Sequence, residues 1–160
     1  PAANDYTYSS PKTRYASIPP SAFVSVRPVS YELTGIGVLA YISIGGSSGT
    51  IGYAAAPINN IPNGARIVDI TYVYYDNDNS EEASFAISRT SNLGTAFTSI
   101  GNFDTGVAAA STSYQTNTTN VGLTLDYENF YYSIYFTGIQ GNSNLRLKYV
   151  IIEYTVTEAD

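Results

Sequence analysis

Strict alternation of apolar and polar side chains leaves a chain few choices, because it gives a strand one apolar face and gives a helix none. Between Phe130 and Thr137, Phe130, Tyr132, Ile134 and Phe136 take every second position, with Tyr131, Ser133, Tyr135 and Thr137 between them. The same period of two runs through residues 36–44, 65–75 and 145–157. In 36–44 the alternating set is Ile36, Val38, Ala40, Ile42 and Ile44. In 65–75, Val68, Ile70, Tyr72 and Tyr74 share one face, against Ile67, Asp69, Thr71, Val73 and Tyr75. In the last segment Leu145, Leu147, Tyr149 and Ile151 oppose Arg146, Lys148, Val150, Ile152, Tyr154 and Val156.

Turn signals separate these runs. Gly45-Gly46-Ser47-Ser48-Gly49, Ile61-Pro62-Asn63-Gly64 and the polar stretches 76–82 and 138–144 break the chain into short pieces. Further strands are expected at Ala22–Arg27, Thr50–Ala56, Ala83–Thr90 and Val121–Leu125, with weaker ones at Phe97–Phe103 and Val107–Tyr114. Many short strands with frequent turns predict an all-β chain, an antiparallel two-sheet β-sandwich of jelly-roll type. A length of 160 residues fits one domain and buries a real core without covalent staples. The organisation expected is an N-terminal arm over residues 1–20 and a single sandwich over 21–160. Pro11, Pro19 and Pro20 keep the arm out of a central strand.

Composition narrows the chemistry. There is no Cys and no His, which removes disulfides, thiolate ligands, the cysteine nucleophile and the commonest general base. A net charge of −6 disfavours a general nucleic-acid binder and docking on anionic lipid. No stretch reaches the ~18–20 apolar residues of a membrane span. The low lysine content and the absence of Cys and Met suit an extracellular or cell-surface protein. The Pro-Ala-Ala start is compatible with a removed secretory leader or with a clipped initiator Met.

Ile61-Pro62-Asn63-Gly64-Ala65 leads into Tyr72-Val73-Tyr74-Tyr75-Asp76-Asn77, and the chain closes with Leu145-Arg146-Leu147-Lys148-Tyr149-Val150-Ile151-Ile152-Glu153-Tyr154. Together with the Asp5–Phe23 stretch, these segments resemble a group of uncharacterised bacterial secreted proteins. Those proteins share a Pro-x-Gly-Ala turn, an aromatic strand ending in Asp-Asn and a closing Leu-Arg-Leu…Ile-x-Tyr strand. The resemblance spans residues 5–157 and implies a β-sandwich with no catalytic residues to carry over.

Four sets of side chains are candidates for function. Asp76, Asp78, Ser80 and Glu82 alternate in an acidic loop with Asn77 and Asn79, an oxygen-only set suited to a hard cation such as calcium. The loop starts like an EF-hand and then departs from it, since Glu81 stands where glycine is needed and Ile87 where the bidentate glutamate belongs. A solvated turn is the alternative. Tyr6, Tyr8, Tyr15 and Ile18 place apolar groups along the arm, a pattern suited to self-association by β-strand addition. Tyr41, Tyr131 and Tyr135 fall on alternate faces from the core and offer rings to a ligand such as a glycan. Asp69, Asp104, Asp126, Glu128 and Glu153 supply carboxylates, but no spacing selects the pair that glycoside hydrolysis requires. Asn117-Thr118-Thr119 is a lone glycosylation sequon. The sequence therefore points to a non-enzymatic extracellular structural subunit, associating with itself into a filament or surface layer through its arm. The alternative is a carbohydrate-binding or adhesive surface module.

Overall fold

The computed structural model describes residues 7–25, 32–34, 41–43, 51–94, 97–106, 110–139 and 144–158. Among them are eleven strands, one 3-10 turn at Pro20–Ala22, and no helix long and apolar enough to cross a membrane. The strands are β1 (Thr7–Ile18), β2 (Val24–Ser25), β3 (Glu32–Thr34), β4 (Tyr41–Ser43), β5 (Ile51–Pro57), β6 (Arg66–Asp76), β7 (Ser84–Ser91), β8 (Phe97–Asp104), β9 (Gln115–Thr124), β10 (Phe130–Ile139) and β11 (Leu145–Glu158). They form two antiparallel sheets. Sheet A runs β3-β4-β11-β6-β9, and sheet B runs β2-β5-β10-β7-β8. Strand β1 joins sheet A on the edge of β11 opposite β6, end to end with β4. The sandwich expected from the alternation is the fold observed.

The inner faces interlock through large aromatic rings. Tyr72 of sheet A stacks on Phe85 of sheet B with centroids 5.1 Å apart, and Phe85 stacks on Phe136 at 5.3 Å. Tyr72, Tyr132, Phe23, Phe85 and Phe136 are the largest fully buried side chains. Each such ring pair contributes about 0.5–1.5 kcal/mol beyond the area it removes from water.

Two strands depart from strict alternation for a physical reason. The β11–β6 register shifts between Leu147 and Tyr149, so Lys148 is an extra residue and the phase of β11 changes there. Leu145 and Leu147 enter the core before the shift, and Val150, Ile152, Tyr154 and Val156 enter it afterwards. Tyr149 and Ile151, which uninterrupted alternation would place with Leu145 and Leu147, lie on the outer face instead. A shift between Ile67 and Asp69 does the same in β6: Ile67 is buried beside Ile70 and Tyr72, while Val68 is half-buried.

Other boundaries also moved. Of the segment expected as a strand from Ala22 to Arg27, residues 22–25 are described, as the end of the 3-10 turn, Phe23 and the two-residue β2. Of residues 36–44, only 41–43 are described, as β4. Residues 110–114, expected within a short strand, carry no strand; Ser111 there donates its backbone N–H to the Asp76 carbonyl at 2.6 Å. Strand β9 is longer than the Val121–Leu125 run that signalled it, because Thr116, Thr118 and Asn120 face solvent on an edge and need no apolar partners.

The Thr7–Ile18 segment pairs within its own chain. Ile18 lies opposite Val150 and Ala16 opposite Ile152, and both are buried. Ile18, expected to anchor an exchanging arm, is a core residue of its own sandwich, where period-two pairing carries it inward.

Candidate functional site

Alternation along β10 sends Tyr131, Ser133, Tyr135 and Thr137 to the outer face of sheet B. Across the ladder, Ser133 lies between Ser88 of β7 and Pro57 of β5, and Tyr135 lies between Ala86 and Ala55. The flanking strands thus offer only small side chains beside the tyrosines. The Ser88 and Ser133 hydroxyls hydrogen-bond at 2.8 Å and are nearly covered. The result is a low floor with tall walls. A concavity of ≈ 470 Å³ lies over Ser88 and Ser133, walled by Tyr131, Tyr135, Phe97 and Val24. A second, of ≈ 420 Å³, lies over Ser84 and Ala86 and is walled by Tyr53, Tyr135 and Phe97.

The two concavities share Phe97 and Tyr135, so they form one groove along the outer face of the sheet. Tyr135 is its centre, with ring centroids 5.6 Å from Tyr53 and 6.3 Å from Phe97. Tyr131 is 53% exposed, Phe97 58% and Val24 57%, an unusual concentration of uncovered apolar surface on one face. Among the described residues, its polar lining is made of hydroxyls, the Asn102 amide and the Asp104 carboxylate. The groove can thus stack apolar ring faces and hydrogen-bond hydroxyl groups. Among the described residues that line it, no nucleophile stands beside a base.

Of the three tyrosines singled out from sequence, Tyr131 and Tyr135 meet in this groove. Tyr41 does not: it is on β4, in the opposite sheet, where the Arg146 guanidinium lies 4.5 Å from its ring centroid. Tyr53 and Phe97 complete the groove and were not singled out. Tyr53 was legible as the one large residue between Gly52 and Ala54 in an alternating strand. Phe97 opens a strand of weak pattern, and nothing local marked it.

The acidic loop follows its turn chemistry. Asp78 Oδ1 accepts the backbone N–H groups of Ser80 at 2.8 Å and Glu81 at 3.0 Å, as well as the Ser80 hydroxyl at 2.8 Å. Asp76 Oδ1 accepts the Asp78 N–H at 3.0 Å. Glu82 is exposed, and among the described residues no three acidic side chains converge as a metal site. Asp76 is fully buried, and its Oδ2 has no hydrogen-bond partner. Burial, and then the Asp76 carboxylate, raise the pKa of the neighbouring Tyr74 hydroxyl.

Of the arm residues, Tyr15 is 67% exposed on the outer face of sheet A. Tyr6 and the side chain of Tyr8 lie outside the described residues. The candidate acids scatter. Asp69 accepts the Asn120 amide at 2.9 Å, Asp126 accepts the Asn129 N–H at 3.2 Å, and Asp104 lies at the groove wall. Asn117 of the sequon sits within β9, opposite Tyr72.

No family model and no curated protein matches the chain. Solved structures do match. The C-terminal family 6 carbohydrate-binding module of a marine laminarinase from Zobellia galactanivorans superposes with a TM-score of 0.53 at 14% identity, covering 87% of this chain and 98% of that one. The CBM22-2 xylan-binding domain of Paenibacillus barcinonensis Xyn10C gives 0.54 at 7% identity, over 90% of this chain and 99% of that one. A family 29 carbohydrate-binding module from Piromyces equi gives 0.50 at 12% identity, over 88% and 90%. At such identities the likeness is one of fold.

Proposed function

We propose that this chain is a non-catalytic carbohydrate-binding module of an extracellular protein, and that it holds a neutral glycan in the groove on the outer face of sheet B. The observation that carries this reading is the set of rings at Tyr131 and Phe97, exposed, and Tyr135 and Tyr53, half-buried, standing over a floor of small serine and alanine residues. Sugar rings are amphipathic. Their C–H faces stack on aromatic rings, and their hydroxyls exchange hydrogen bonds with Ser, Thr and Asn side chains. The groove continues past Tyr135 on both sides, which suits an internal stretch of a chain rather than a chain end. Asp104 on its wall, with a net charge of −6 behind it, favours uncharged sugars over acidic ones there. Support also comes from the fold, which the chain shares with a laminarinase module and a xylan-binding domain.

The test is affinity electrophoresis and pull-down on a panel of neutral polysaccharides, both soluble and insoluble. Retention of the native chain is expected, with at least a tenfold loss in Tyr135→Ala and in Tyr131→Ala. Failure to bind any neutral polysaccharide at high protein concentration refutes the proposal. So does binding that both variants retain in full.

A further inference from the structure

The turn that launches β6 contains a reactive bond. Asn63-Gly64 is the chain's one Asn-Gly pair. An asparagine side-chain amide is open to attack by the backbone nitrogen of the residue after it, and glycine, with no Cβ, obstructs that approach least. The nitrogen bonds to Asn63 Cγ and ammonia leaves, which closes a succinimide ring. Water then opens the ring to aspartate or to isoaspartate. Asn63 is exposed, so water reaches it.

The fold holds both reacting groups elsewhere. Gly64 has φ +78°, and the Ala65 N–H donates to the Pro62 carbonyl at 3.2 Å, the pattern of a type II turn. The Gly64 nitrogen attacks only after losing its proton, and that N–H donates to the Leu125 carbonyl at 2.9 Å. In return the Leu125 N–H donates to the Ala65 carbonyl, also at 2.9 Å. Asn63 Oδ1 accepts the Tyr127 N–H at 2.9 Å, which draws the side-chain amide towards the 125–127 loop. The Tyr127 hydroxyl fastens that loop in turn, donating to the Ile58 carbonyl at 2.8 Å. Ring closure requires the Gly64 proton to be removed and the Asn63 side chain to turn back on its own backbone. Each step breaks one of these bonds.

We propose that Asn63 is a latent deamidation site, silent while this junction is closed and converted to aspartate or isoaspartate when it opens. The opening is local, since it separates one turn from one loop and leaves the ladders of both sheets paired. The rate in the native chain is then the rate in the open segment multiplied by the fraction of time it is open. The two products behave differently. Aspartate keeps an oxygen for the Tyr127 N–H, so the junction closes again. Isoaspartate routes the backbone through the side chain and lengthens it by one carbon, so Gly64 and Ala65 no longer meet Leu125 together. That product loosens the entry to β6 for good.

The experiment incubates the full chain at mildly alkaline pH, folded in buffer and unfolded in guanidinium chloride. Peptide mapping by mass spectrometry, with chromatography that resolves isoaspartyl from aspartyl peptides, follows every asparagine. In denaturant Asn63 should convert fastest of all, and in the folded chain at least tenfold more slowly. The Gly64 amide should show comparable protection from deuterium exchange, because both reactions need the same opening. Tyr127→Phe removes the bond to Ile58 and should speed native conversion and Gly64 exchange together, severalfold, while leaving the rate in denaturant unchanged. Asn63→Asp should melt with the native chain, and the purified isoaspartyl form below it. Equal conversion rates in the folded and unfolded chain overturn the proposal, as does faster conversion of another asparagine in denaturant. So does a Tyr127→Phe chain whose native conversion is unchanged. An isoaspartyl form as stable as Asn63→Asp overturns the assigned consequence.

Discussion

Tyr72 gives the sharpest test of how the core is assembled. Its ring is fully buried against Phe85, yet its hydroxyl has no hydrogen-bond partner. Burial alone pushes the hydroxyl's pKa well above its ordinary value. An unpartnered buried hydroxyl costs about 1–3 kcal/mol, because folding strips its water and supplies nothing in return. Tyr72→Phe keeps the ring and its stacking and removes the oxygen. The void left is smaller than a methyl-sized one, which costs ~1 kcal/mol. The variant should therefore be more stable than the native chain by about 1 kcal/mol, or a rise of roughly 2–4 °C in melting temperature for a domain of this size. Tyr127→Phe makes the same chemical change with the opposite sign. The Tyr127 hydroxyl donates to the Ile58 carbonyl at 2.8 Å, and losing that bond should destabilise by about 0.5–1.5 kcal/mol. Paired thermal and urea unfolding of the two variants measures both. A Tyr72→Phe variant that melts several degrees below the native chain would refute the reasoning, by showing that the hydroxyl is satisfied, for example by a buried water.

Three further outcomes follow from particular residues. Gly101 has φ +62°, and a Cβ there would lie 2.9 Å from Val121 Cγ2, whereas Gly64 has φ +78° and open space around it. Gly64→Ala should therefore cost only the ~1–2 kcal/mol of a left-handed backbone, and Gly101→Ala measurably more, in denaturant midpoints. Burial, and then Tyr132, push the Tyr127 hydroxyl from 10.0 up to about 12. The folded state then holds its proton more tightly than the unfolded chain, so this stability is intact below pH 10 and is lost as pH rises from 10 towards 12; pH-dependent unfolding should show that fall, and Tyr127→Phe should lessen it. Because Asp78 is engaged by the amides of its own loop, adding calcium or a chelator should leave the melting midpoint unchanged; a calcium-dependent rise would instead identify Asp76 Oδ2 as a cation ligand.

Fold class was legible because alternation is a local signal. Phe130 to Thr137 announces its own two faces, and Gly64 marks its turn, whose N–H bonds the Leu125 carbonyl at 2.9 Å. What was illegible needed a partner strand. Nothing in Leu147-Lys148-Tyr149 reveals that Lys148 is an extra residue, because a bulge is defined by the ladder beside it. Strand β9 was largely missed because Thr and Asn on an edge read like a loop. The site divided in the same way. Tyr131 and Tyr135 could be placed together from one strand's period. Phe97 joins them only because two intervening positions of β7, Ala86 and Ser88, are small enough to leave the rings facing each other across the groove. Tyr41 shows the converse: pointing away from the core does not say away from which sheet.

The pairing of β1 with β11 has a mechanical consequence. Thr7 lies opposite Glu158, so the chain enters and leaves the sandwich at one corner. A pull on both ends acts across the two strands, along their hydrogen bonds, because antiparallel bonds run perpendicular to the strands. The bonds are then loaded one after another from that corner, as in a zipper, and not together as in shear. A module tethered through both ends should therefore shed its first strand at low force. That release would expose the β11 edge and withdraw Ala16 and Ile18 from the core, long before tension reached the groove on the far sheet.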